Sequence, residues 1–84
     1  MDNTPQAPQI SQPARERIAA NLKRLRKERQ LSQERMAELA GFHRTYVSQL
    51  ERCVTNISID GLERLASALG VDVQALLAPF IPCE

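Results

Sequence analysis

Residues Gln33 to Leu50 read Gln-Glu-Arg-Met-Ala-Glu-Leu-Ala-Gly-Phe-His-Arg-Thr-Tyr-Val-Ser-Gln-Leu, and their spacing decides the fold. Met36, Ala37 and Ala40 recur at helical spacing and predict a short helix with one face turned inward. Ser32 stands before it as an N-cap, and Glu34 and Glu38 favour its N-terminal half electrostatically. Gly41 ends it, because glycine readily takes the left-handed conformation of a C-terminal cap. A further short helix follows at once, about His43 to Arg52, with Val47 and Leu50 on its buried side and Tyr46 at the flank. The small Ala37 lets one helix lie across the other. Two short helices joined by a tight glycine turn make a helix-turn-helix.

Working outward, Ile18, Leu22 and Leu25 give an apolar stripe to a helix over about Ala14 to Glu28, whose other face carries Lys23, Arg24, Lys27 and Arg29. On the C-terminal side, Cys53 to Ile57 form a loop. Ser58 caps a helix with Ile59, Leu62, Leu65, Ala66 and Leu69 inward, and Gly70 closes it. Asp72 caps a last short helix with Val73, Leu76 and Leu77 apolar, and Pro79 and Pro82 limit its continuation. Residues 1–13, with Pro5, Pro8 and Pro13 and few apolar side chains, read as a flexible N-terminal arm. The expectation is an all-α, five-helix fold in which residues 14–84 form a single domain.

The 84 residues suffice for one domain and one core, and fall short of a typical enzyme with a buried cleft. Neither a paired His and Cys, nor a Gly-rich phosphate loop, nor a carboxylate cluster is visible, so no catalytic residue is assigned. Apolar runs stop well short of the roughly 20 residues of a membrane helix, and the polar N-terminus lacks the features of a secretory signal. A cytoplasmic location is expected. Cys53 and Cys83 lack metal-ligand spacing, and with a single His no metal site and no cofactor are expected; both cysteines read as free thiols. The net charge of +1 is unevenly spread: residues 1–54 hold ten Lys or Arg against six Asp or Glu, and residues 55–84 hold one against four. Such asymmetry suits one face for phosphates and another for a different partner.

The buried side of the His43–Arg52 helix leaves His43, Arg44, Thr45, Ser48, Gln49 and Arg52 outward, free to enter a major groove. Arginine can bond guanine through two hydrogens and glutamine can bond adenine through one donor and one acceptor, while threonine offers a methyl for thymine or a hydroxyl for phosphate. A solvated polar face is the plain alternative.

The run Leu31-Ser32-Gln33, then Ala37, Ala40-Gly41, and His43 through Arg52, resembles the Xre family of lambdoid-repressor-like regulators. The likeness continues through Leu62-Glu63-Arg64-Leu65-Ala66-Ser67-Ala68-Leu69-Gly70-Val71 and covers about residues 15–78. Arg44-Thr45-Tyr46, Glu51-Arg52, Asn56 and Ser58-Ile59 look in particular like the controller proteins of restriction–modification systems. The resemblance implies that the third of five helices reads bases, with Arg44, Thr45 and Gln49 at the reading positions and Ser48 beside them. It implies phosphate contacts from Gln33, aided by the positive N-terminus of its helix, and from His43, Tyr46, Arg52 and Asn56. Each has a structural alternative: Tyr46 as packing, Arg52 as a helix C-terminal charge, Gln33 as a helper of the Ser32 cap. The resemblance also implies an internal ion pair between Arg26 and Glu51. Cys53 departs from the pattern, standing where the family often has Gly; a left-handed backbone there would cost a cysteine roughly 1 kcal/mol.

A single small domain reads few base pairs, so a homodimer on a palindromic double-stranded DNA operator is expected. Val71, Val73, Leu76, Leu77, Phe80 and Ile81 are many apolar residues for one short end, and Leu77, Phe80 and Ile81 are expected at the dimer interface. Packing against the first helix is the alternative. RNA polymerase is a further expected partner for an activator, through Asp60 and Glu63, unless those acids only stabilise a helix N-terminus. The competing functional class is an antitoxin that binds a toxin protein and its own promoter.

Overall fold

Three short side chains set where three of the helices begin. The Oγ of Ser32 accepts from the Arg35 N–H at 2.9 Å, that of Ser58 from the Gly61 N–H at 2.9 Å, and Oδ1 of Asp72 from the Gln74 N–H at 2.8 Å. Each serves a donor that has no partner inside its own helix. In the computed structural model, which describes residues 12–80, five helices follow: α1 (Ala14–Glu28), α2 (Gln33–Ala40), α3 (Arg44–Glu51), α4 (Ile59–Leu69) and α5 (Val73–Leu77). No strand occurs among the described residues, as the all-α expectation required. Gly41 and Gly70 close α2 and α4 at φ 77° and 73°, the left-handed caps read from the sequence.

The core draws one fully buried side chain from every helix: Leu22, Met36, Val47, Leu65 and Leu76. Around them pack Ile18, Leu25, Ala37, Ala40, Leu50, Leu62, Ala66 and Leu69. α1 lies against α3 and α5, α2 against α3 and α4, and α4 against α5. Ile59 departs from the expected stripe and is 79% exposed. It occupies the first helical position, about a quarter-turn off the centre of the face made by Leu62, Leu65 and Leu69, and Ile57 of the preceding loop packs on the core instead.

α5 is too short to stand on its own hydrogen bonds and is held from α1. The buried Asn21 donates from Nδ2 to the carbonyls of Leu76 at 3.0 Å and Ala78 at 2.8 Å, and Arg17 reaches the Leu77 carbonyl at 3.3 Å. These are C-terminal carbonyls that a helix cannot serve itself. Of the expected N-terminal arm, residues 1–11 lie outside the described residues. The Gln12 side chain pairs with both backbone groups of Phe80, at 2.8 and 3.0 Å. Ile81 and Cys83 also lie outside. Among the described residues, two that are not glycine take left-handed backbone: Gln30 at φ 56° after α1 and Cys53 at φ 64° after α3. The second meets the condition anticipated for Cys53, so a cysteine carries about 1 kcal/mol of strain where glycine would carry none.

Candidate nucleic-acid interface

α3 turns Val47, Leu50 and Glu51 inward and leaves a polar face outward. On that face Arg44 and Thr45 are exposed and Ser48 and Gln49 half-buried, one helical turn apart, so the four expected base-reading residues share one surface. His43 is the N-cap residue, exposed, with no side-chain cap bond, and Arg52 is the exposed C-cap residue. His43 and Arg44 share a shallow recess with Glu34 and Glu38 of α2, whose charges temper the positive potential at that end.

Beneath α3, Arg26 and Glu51 form the expected ion pair. Nε of Arg26 meets Oε2 of Glu51 at 2.6 Å and Nη2 meets Oε1 at 2.9 Å, with the Glu51 side chain 1% exposed. Nη1 of Arg26 also donates to the Leu31 carbonyl at 2.7 Å, tying down the chain that enters α2. Gln33 joins this group, its Nε2 donating to Oε1 of Glu51 at 3.1 Å. The Gln33 amide is thus oriented by a buried carboxylate at the N-terminus of α2, where backbone N–H groups and the helix dipole favour an anion. Burial pushes the Glu51 carboxyl up, but hydrogen bonds from Arg26 and Gln33 and the charges of Arg26 and Lys23 outweigh it and hold the group below the usual carboxylate range. The hydrogen bond to Glu51 in turn holds the Arg26 guanidinium above its ordinary value.

Tyr46 does more than flank the helix. Its ring lies 5.0 Å from that of Phe42, tilted by 57°, and its hydroxyl donates to the Asn56 carbonyl at 2.6 Å. Burial raises its phenol pKa, so the group stays a donor at neutral pH. The Asn56 side chain accepts from Nη2 of Arg15 at the start of α1. Tyr46, Asn56 and Arg15 therefore join α3, the following loop and α1 along one edge. Arg15 was not singled out from the sequence, since nothing in its local pattern marks a partner 41 positions away.

Known proteins share this fold. A helix-turn-helix family model matches residues 22–76. The chain belongs to the helix-turn-helix family. It is a DNA-binding domain of the transcriptional-regulator type, as the Xre resemblance implied. The control protein C.SmaI of Serratia marcescens is 41% identical over 63 residues, which are 75% of this chain and 75% of that protein. The restriction–modification controller protein C.AhdI of Aeromonas hydrophila superimposes with a TM-score of 0.71 at 35% identity, over 74% of this chain and 94% of that one. SinR, a master regulator for biofilm formation solved in complex with DNA, superimposes with a TM-score of 0.69 at 40% identity, over 73% of this chain and 98% of that one. These relatives are regulators and control proteins, not enzymes. No group of three or more potential metal ligands occurs among the described residues, and none of their helices is long and apolar enough to cross a membrane.

Proposed function

We propose that this protein is a homodimeric regulator that binds a palindromic DNA operator and controls a restriction–modification system. The observation that carries the reading is the face of α3: Arg44, Thr45, Ser48 and Gln49 stand outward while Val47, Leu50 and Glu51 anchor the helix from behind. Arg44 offers two donors to a guanine edge and Gln49 a donor and an acceptor to an adenine edge, and Gln33, His43, Tyr46, Arg52 and Asn56 hold the flanking phosphates. Asn56 then has two roles, since it already braces the α3–loop edge, and Tyr46 would have to redirect its one hydroxyl hydrogen from the Asn56 carbonyl to a phosphate. Control of restriction–modification genes is supported by the likeness to C.SmaI and C.AhdI.

The dimer surface is the C-terminal end, where Leu77 and Phe80 are half-buried and Ile81 continues the apolar run. Two copies paired there would present two α3 helices to half-sites about 10 base pairs apart. The exposed Asp60 and Glu63 on α4 are available to RNA polymerase if the protein activates. The test is Arg44→Ala, with sedimentation alongside. The variant keeps the fold but loses discrimination between operator and random duplex, and the wild type sediments as a dimer at micromolar concentration. Unimpaired discrimination sinks the assignment of Arg44, and a monomer at that concentration sinks the dimer.

A further inference from the structure

The turn between α2 and α3 is gripped from outside the helix-turn-helix. Arg64, exposed on α4, donates from Nε to the Ala40 carbonyl at 3.0 Å and from Nη2 to the Gly41 carbonyl at 2.5 Å. Both carbonyls lie at the negative end of α2, where the helix leaves acceptors unserved. The same guanidinium sits 4.2 Å above the centre of the Phe42 ring. Phe42 in turn contacts Tyr46 of α3. The Phe42 ring also packs near Gly61, where an added Cβ would stand 3.0 Å from Ile57 Cγ1, 3.1 Å from Ser58 Oγ and 3.3 Å from Phe42 Cζ. Gly41 is required by its left-handed backbone, and a Cβ there would also lie 2.7 Å from Nη2 of Arg64, so the guanidinium would have to shift.

We infer that Arg64 is a positioning residue for sequence reading: from α4 it holds the α2–α3 turn, and through Phe42 and Tyr46 it fixes the angle at which α3 meets the groove. The inference rests on the DNA-reading function proposed above. One planar group makes two fork-directed hydrogen bonds and stacks on a ring, which an ammonium cannot reproduce. Base contacts depend on angle and phosphate contacts on charge. A shift of α3 therefore erodes discrimination before it erodes non-specific binding.

The experiment titrates the full chain, wild type and Arg64→Ala, against an operator duplex recovered by selection and against a shuffled duplex of equal length. Fluorescence anisotropy is read at several salt concentrations, with circular dichroism confirming that each protein is folded. The expected result is a drop of about tenfold in the operator-to-shuffled affinity ratio, with the salt dependence unchanged. Arg64→Lys, which keeps the charge and also serves if Arg64→Ala does not fold, recovers only part of the ratio. An unchanged ratio in a folded variant overturns the inference, as does full recovery by lysine. Equal weakening on both duplexes with the salt slope reduced by about one makes Arg64 a phosphate contact instead. If the wild type itself prefers no duplex, the DNA reading fails, and the role of Arg64 in it falls with it.

Discussion

Replacing Arg26 by alanine strips three acceptors at once: both Glu51 carboxylate oxygens and the Leu31 carbonyl. The Glu51 side chain is 1% exposed, so water cannot replace the guanidinium without opening the interface between α1 and α3. Gln33 still donates one hydrogen bond to Glu51, which offsets part of the loss. Breaking a buried pair by removing one partner costs about 3–5 kcal/mol, and the remaining Gln33 bond argues for the lower end, about 3 kcal/mol. A folded unit of this size has only about 3–10 kcal/mol in total. At about 4–8 °C per kcal/mol, the melting temperature of Arg26→Ala falls by about 12–24 °C. The assay is thermal and urea unfolding followed by circular dichroism at pH 7. The double variant Arg26→Met, Glu51→Leu provides the control, because replacing both partners leaves no uncompensated charge and costs less than the single change. A melting temperature for Arg26→Ala within a few degrees of the wild type would refute the reasoning.

Three other outcomes follow from the same geometry. The folded Glu51 carboxyl is held below its unfolded value of about 4.3, so its stabilisation is complete above that pH and is lost as the pH falls below it, when the unfolded chain binds a proton that the fold resists. Unfolding free energies between pH 7 and 3 should show this acid limb, and Glu51→Gln should flatten it; an equally steep limb in that variant removes Glu51 as its source. Gly70→Ala meets open space at φ 73° and should cost about 1–2 kcal/mol from backbone strain alone, whereas Gly41→Ala should cost more because its Cβ also displaces Arg64. Equal losses at the two sites would contradict the contact. Asn21→Leu leaves the Leu76 and Ala78 carbonyls without their donor and should cost about 2 kcal/mol, with amide exchange accelerated first in α5; uniform exchange across the helices would count against α5 being held from α1.

The helix order was legible because each signal was local. Capping side chains, closing glycines and a helical apolar period lie within a few residues of one another, and Ser32, Gly41, Ser58, Gly70 and Asp72 behave as read. Ile59 misled because, at the first helical position, it points about a quarter-turn off the stripe it was counted with, and Ile57 of the preceding loop takes the place on the core. The outward face of α3 was legible for the same reason as its core face. What could not be read were the polar bonds between distant positions. Arg15 with Asn56, Gln33 with Glu51, Asn21 with α5, and Arg64 with the turn are each set by tertiary packing. An arginine on a helix surface has the same sequence pattern whether it is solvated or gripping a carbonyl. The Arg26–Glu51 pair came only through family resemblance, not through any spacing rule.

In the proposed function, α3 reads a specific duplex, two copies at a time. Selection of bound duplexes from a random library by the purified full chain, at stated salt, tests it most directly. A dimeric reader enriches a palindrome with two short half-sites spaced by about one helical turn. Recovery of unenriched, random sequence would contradict it.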